Sequence, residues 1–212
     1  MYLCSIKLET SGQVRVKITV PVLHTVRSAG GSFFLVFIFM ENIPEFIETN
    51  LQGTNLFFKI PTGDEVENRP VRREIVETAY KTMLSHMQGE NYFWNDFLGE
   101  KVYVIFRESY LKASNNAVRN WQSTYAVLRL MDVIKYAKPK DENYRTEQIK
   151  QGFQQKNKYI ELIKLWYDFN NEKLPYMNFS VEIVIGRKQN GMYVQYSLEH
   201  KKTVSKSMQK PI

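Results

Sequence analysis

The sequence predicts an α+β domain in which two or three helices pack on a mainly antiparallel sheet that ends in a β-hairpin. Three observations carry that reading. Phe179, Val181, Ile183 and Ile185 alternate with Ser180, Glu182 and Val184, and Met192, Val194, Tyr196 and Leu198 alternate with Tyr193, Gln195, Ser197 and Glu199, the period-2 signature of strands with one apolar face. Asn190-Gly191 lies between them and predicts a type I′ hairpin turn, because that turn needs positive φ at both central residues. Upstream, apolar residues recur at helical spacing in two long stretches, and the layout of helices beside strands implies two layers around one core.

The first of these stretches runs from Val71 to Gln88 after Pro70, with Ile75, Val76, Ala79, Tyr80, Met83, Leu84 and Met87 on one face and Gly89 as its stop. Before it, an acidic, loop-rich segment from Glu41 holds one short strand, Leu56 to Ile60, closed by the turn cluster Pro61-Thr62-Gly63-Asp64. Lys101 to Arg107 reads as the next strand, its β-branched and aromatic residues following Gly99. The longest helix is expected to start with Ser114 or Asn115 as amino-terminal cap and to end at Lys138, before Pro139. Val118, Trp121, Tyr125, Leu128, Met131 and Ile134 form its buried stripe. After a hydrophilic loop over 138–143, a second helix is expected from Phe153 to Phe169, with Tyr159, Leu162, Ile163, Trp166 and Phe169 turned inward.

The segment 1–39 differs from the rest. Val14, Val16, Ile18 and Val20 alternate with polar residues as a half-buried strand does, and Phe33 to Met40 is an apolar run too short to span a bilayer. The run lacks a small-residue cleavage site after it, so secretion is not expected. Two readings stand for this segment: a buried strand, or an upstream extension of a chain whose working start is Met40, where the composition turns acidic. The sequence organisation is then an extension over 1–39, an acidic loop-and-helix layer over 40–97, an α+β core over 98–200 and a basic tail over 201–212.

At 212 residues and 43% apolar composition the chain is long enough for an ordinary core, and its single cysteine, Cys4, excludes an internal disulfide framework and a cysteine-based zinc site. A reducing, cytoplasmic setting in a host cell is expected. Net charge is +7 but polarised: 40–100 holds five basic against eleven acidic residues, while 101–212 carries an excess of +10. Such polarity concentrates phosphate backbones near one surface, and it also describes a solvated lysine-rich face. Nucleoside-triphosphate loops, dinucleotide fingerprints and zinc helices are all missing from the sequence. No metal site and no cofactor is expected, since only His24, His86 and His200 are available.

His200 ends the last strand beside Tyr196, Ser197, Lys201 and Lys202. A metal-independent ribonuclease needs a proton acceptor, a proton donor and cations for the charged transition state, and His200, Tyr196 and Arg107 are the candidate catalytic residues on that logic. Arg187, Lys188, Lys201, Lys202 and Lys206 are the candidate cations for RNA or DNA, and the bland alternative is a basic strand end next to a solvated tail. His86 reads as an ordinary helix histidine.

The succession Gly99-Glu100-Lys101-Val102-Tyr103-Val104, a helix bearing Leu128, Met131, Val133, Ile134 and Ala137, then Phe179-x-Val181-x-Ile183 and Tyr193-Val194-Gln195-Tyr196-Ser197-Leu198 resembles the large polyvalent-protein-associated domains of phages and conjugative elements. Some of these are grouped with the barnase, EndoU, colicin and RelE-like nuclease fold. The resemblance covers about residues 98–200 and rests on apolar patterning. It implies helices on an antiparallel sheet and a mobile-element setting, and it leaves nuclease activity open without implying it. Two functions are therefore expected as alternatives. One is a nucleic-acid-associated accessory protein with a ribonuclease-like domain, which requires Arg107, Arg187, Lys188, Lys201 and Lys202 to converge. The other is a non-catalytic protein-interaction or virion structural module that docks another protein through the acidic segment 41–100. Neither involves a membrane.

Overall fold

The computed structural model describes residues 22–27, 33–38, 43–147 and 159–201. The chain divides into two compact units, Met1–Asn42 and Ile43–Ile212. In the first, β1 (Val22–Arg27) and β2 (Phe33–Ile38) form an antiparallel pair with His24 opposite Val36. Most of the Phe33 to Met40 run is thus a strand; the Val14–Val20 strand and Cys4 lie outside the described residues.

Among its described residues the second unit combines four α-helices with a mostly antiparallel set of strands, the expected α+β class. It opens with β3 (Phe46–Asn50) and β4 (Phe57–Pro61), a two-stranded antiparallel sheet in which Ile47 and Ile60 face inward. Only the second of these strands was expected, because Glu45 and Glu48 give the first an acidic, loop-like composition. The helix α1 (Asn68–His86) follows and buries Ile75, Val76, Ala79, Tyr80 and Met83, the face its spacing predicts. Pro70 lies in its first turn, where the missing N–H has no helical acceptor in any case. A buried guanidinium anchors this helix: Arg72 Nε donates to the Pro61 carbonyl at 3.0 Å, and Arg72 Nη2 donates to the carbonyls of Pro61 and Gly63.

The main sheet has six strands in the order β5-β6-β10-β9-β8-β7. They are β5 (Tyr92–Asn95), β6 (Glu100–Tyr103), β7 (Arg145–Glu147), β8 (Glu161–Phe169), β9 (Phe179–Arg187) and β10 (Tyr193–His200). All neighbours are antiparallel except β6 and β10, which run parallel. The strand expected over Lys101–Arg107 is shorter because the chain turns at Phe106 into a π turn (Phe106–Tyr110). There Ser109 Oγ accepts from the Ile105 N–H at 3.1 Å and donates to the Gln195 carbonyl at 2.8 Å.

The helix expected over 153–169 is overturned: residues 161–169 are the strand β8, and 148–158 lie outside the described residues. Leu162, Ile163, Trp166 and Phe169 fit a helical period, but Ile163, Leu165, Tyr167 and Phe169 also fit a strand, and a nine-residue pairing with β9 decides between them. The long helix expected over 114–138 is three helices, α2 (Leu111–Ala117), α3 (Trp121–Leu128) and α4 (Leu130–Tyr136). The first break is a capping event: Asn120 adopts extended backbone at φ −145° and its side chain accepts from the Ser123 N–H at 2.8 Å. The second falls at Arg129, at φ −113°, whose guanidinium donates to Thr49 Oγ1 at 2.6 Å.

The helix α4 is tied to the sheet at two places. Asn95, at the end of the edge strand β5, donates to the Ile134 carbonyl at 2.5 Å and the Ala137 carbonyl at 3.1 Å, closing the last turn of α4. Just past that helix, Lys138 exchanges two backbone hydrogen bonds with Trp166 on β8, at 3.0 and 2.8 Å. One short helix therefore ties one edge of the sheet to a strand near the other edge. Phe97 meets Tyr144 edge-on, with ring centroids 5.6 Å apart, just before β7. One face of the sheet holds Val102, Ile163, Leu165, Val181, Ile183, Ile185 and Leu198 against α2, α3 and α4, and α1 packs on α2 and α3.

Candidate functional site

The β9–β10 hairpin positions most of the predicted site residues. Its loop differs from the expected two-residue turn: Lys188 N–H bonds to the Met192 carbonyl at 2.9 Å across Gln189-Asn190-Gly191, and Gly191, at φ +84°, supplies the left-handed position. Three-residue loops use one such position after a type I turn, so Asn190 keeps ordinary backbone and instead accepts from the Met192 N–H at 3.2 Å. In the resulting register Arg187 faces Tyr193 and His200 faces Val181. The two ends of β10 are seven residues apart, roughly 20 Å at the usual rise of a strand. Arg187 and Lys188 thus stand at the loop end of the hairpin, and His200 and Lys201 at the far end.

At the loop end the cations are engaged by carboxylates. Arg187 Nε donates to Glu161 Oε2 at 2.8 Å, and Arg145 Nη1 approaches Glu161 Oε1 at 3.3 Å, so one buried carboxylate on β8 serves two guanidiniums from the strands that flank it, β9 and β7. Lys188 Nζ donates to Glu108 Oε1 at 3.1 Å while the Tyr159 hydroxyl donates to Glu108 Oε2 at 2.8 Å. Burial first, and then the bond to Glu108 and its charge, push the Tyr159 hydroxyl well above the usual tyrosine range. Tyr196 is the extra residue of a β-bulge between Gln195 and Ser197; its ring meets Tyr159 edge-on at 5.3 Å, with Lys112 Nζ 5.4 Å from its centroid. Arg107 is exposed in the π turn next to Glu108.

At the far end, the His200 N–H donates to Ser123 Oγ at 2.7 Å, and His200 Nδ1 lies 2.8 Å from the Ser180 carbonyl. A carbonyl only accepts, so Nδ1 is the donor in this contact. The ring stands edge-on to Phe179 at 5.7 Å. Lys201 Nζ lies 2.8 Å from Glu199 and 3.8 Å from Glu182, and Glu199 also receives Arg119 at 3.6 Å. Bonding to Glu199 holds the Lys201 ammonium above its ordinary value, against the opposing effect of burial.

The structure therefore brings Lys188 and Arg107 to one end of the sheet, holds Tyr196 at the bulge in the middle of β10 and leaves His200 and Lys201 at the other end; Lys202 and Lys206 lie outside the described residues. No hydrogen bond or ring contact joins His200 to Tyr196 or Arg107 among the described residues. The partners that sequence reasoning missed are Glu108, Glu161, Arg145 and Tyr159. Two of them, Glu161 and Tyr159, fell inside the segment read as a helix, which hid their register against β9. Among the described residues no group of three or more His, Cys, Asp or Glu side chains could hold a metal ion, and no helix is long and apolar enough to cross a membrane.

A second surface is chemically distinct. Of the eleven large apolar side chains exposed among the described residues, eight lie within 43–97: Ile43, Phe46, Leu56, Phe57, Val66, Val71, Trp94 and Phe97. This is the acidic part of the sequence. The β3–β4 pair shows why: Ile47, Thr49 and Ile60 point into the core, so alternation turns Phe46 and Phe57 outward at 44% and 50% exposure. Comparison with known proteins yields no matching family model, no matching curated protein and no matching solved structure.

Proposed function

We propose that the chain is a protein-interaction module that docks its partner through the acidic segment 43–100, in the mobile-element setting that the sequence resemblance implies. The observation that supports this reading is the concentration of exposed apolar side chains in that segment, led by Phe46 and Phe57 on the outward face of β3–β4. Scattered single apolar residues are normal on any surface, whereas two exposed aromatic rings on the outward face of one hairpin are what docking surfaces use.

The nucleic-acid reading has one observation in its favour. The segments 148–158 and 202–212 together hold six lysines and no acidic residue. Against it stands the geometry of the described cations, since Arg187, Lys188 and Lys201 each face a carboxylate. A phosphate backbone would have to displace those carboxylates before any counterion release contributed to binding.

One experiment separates the two. The full chain is assayed for RNA and DNA binding across a salt series and for RNA cleavage, and in parallel it is used as bait beside a Phe46→Ser, Phe57→Ser variant. The interaction reading expects no measurable nucleic-acid affinity at physiological salt, and a protein partner held by the native chain and lost by the variant. Tight, salt-dependent RNA binding with cleavage abolished by His200→Ala would overturn it in favour of a ribonuclease.

A further inference from the structure

We infer that the occupant of the β3–β4 surface is a second copy of this chain, the two copies related by a two-fold axis parallel to the strands. This rests on the protein-interaction reading and names its partner. In a two-fold interface the same patch meets itself, so the patch must be self-complementary in charge and shape. The outward face of β3–β4 meets the condition on charge. Glu48 and Lys59 are directly opposite one another in the register and paired at 2.8 Å, with side chains 54% and 63% exposed. They sit between Phe46 on one side and Phe57 on the other along the strands.

An axis running along the strands midway between β3 and β4 exchanges left for right. It places Glu48 of each copy over Lys59 of the other, while Phe46 and Phe57 keep their positions along the strand and close over the facing hairpin. Both charges are then shared reciprocally and both rings are covered. A partner of a single sign of charge gains nothing comparable, because the patch is neutral at its centre: whichever charge it satisfies, it repels the other. Opposed charges flanked by aromatic anchors give such an interface its register, and the anchors its affinity.

The test uses the full chain in analytical ultracentrifugation over a concentration series. The native chain is expected to shift from monomer to dimer with rising concentration, and Phe46→Ser to weaken that association by roughly tenfold or more. Glu48→Lys alone and Lys59→Glu alone place like charges over one another and are expected to stay monomeric, while an equimolar mixture of the two forms the dimer again. Circular dichroism and melting of each variant confirm the fold, which these exposed positions do not carry. A native chain that remains monomeric at every concentration overturns the inference. A dimer indifferent to both charge reversals, or a mixture that fails to associate, overturns it equally by moving the contact elsewhere. If the monomeric chain still retains a different protein through Phe46 and Phe57, only this inference falls; if it retains none, the interaction reading falls with it.

Discussion

The Tyr80 hydroxyl donates to Gln195 Oε1 at 3.0 Å, joining α1 to β10 in the middle of the core. Both residues are fully buried, and the Gln195 Nε2 has no partner in the structure. A buried donor left unpaired costs about 1–3 kcal/mol, while removing both members of a pair is close to neutral. Tyr80→Phe should therefore lower stability by about 1–3 kcal/mol, because it strips Gln195 of its remaining partner. Adding Gln195→Met to that variant should recover most of the loss, a coupling that a double-mutant cycle in urea measures directly. Additive losses would show that the pair contributes nothing beyond packing.

Arg72 offers a harsher test of the same physics. Its guanidinium is fully buried and bonds to the carbonyls of Pro61, Gly63, Val118 and Arg119, tying α1 to the end of β4 and to the α2–α3 junction. Burial pulls its pKa below the ordinary arginine value, offset in part by Asp64 and Glu65. Arg72→Met fills similar volume but leaves those carbonyls unpaired, and the expected loss is about 3 kcal/mol or more. Arg72→Lys should recover little of it, since a compact ammonium cannot span acceptors that a planar fork reaches. Thermal melting of the two variants beside the native chain checks both statements.

The two tryptophans expected on inward helix faces now separate. Trp121 is 2% exposed on α3 and meets Phe179 edge-on at 5.3 Å. Trp166 lies on the face of β8 opposite Ile163 and Leu165, half-buried, with Lys140 Nζ 5.0 Å from its ring centroid. Trp121→Ala should cost about 3–5 kcal/mol through lost burial and a residual cavity, whereas Trp166→Ala should cost about 1–2 kcal/mol, from a half-buried ring and its cation–π contact. Equal losses at both positions would mean that β8 faces the other way.

That contrast marks how far the sequence could be read. The α1 face and the final hairpin were legible because each segment satisfied one period only. Segment 161–169 satisfied two, and its pairing with β9, which is information from 10 to 26 positions downstream at Phe179–Arg187, chose the strand. The separation of Arg187 from His200 was in principle readable, since a turn near Asn190-Gly191 fixes which residues lie at the loop and which at the far end. What the sequence could not show is that Glu108 and Glu161 reach the cations from 80 and 26 residues away. Nor does composition reveal that Phe46 and Phe57 face outward while Ile47 and Ile60 face in; only the register of β3 with β4 does that.

Tyr159 covers Gly186 so closely that a Cβ there would lie 2.4 Å from its ring. Gly186→Ala should therefore displace the ring and destabilise the fold by about 1–3 kcal/mol, and Tyr159→Ala should relieve that penalty in the double variant. The same ring predicts the alkaline limit of the protein. The folded pKa of Tyr159 is raised, chiefly by burial, as is that of Tyr80, so the folded state holds these protons more tightly than the unfolded chain does. Their contribution to stability is fully present below the unfolded tyrosine value of about 10 and falls as pH rises beyond it. Absorbance at the tyrosinate band should show these two hydroxyls ionising only together with unfolding, and Tyr159→Phe should make the fall in stability above about pH 10 shallower. Smooth titration of every tyrosine in the folded state would overturn both the burial of Tyr159 and its bond to Glu108.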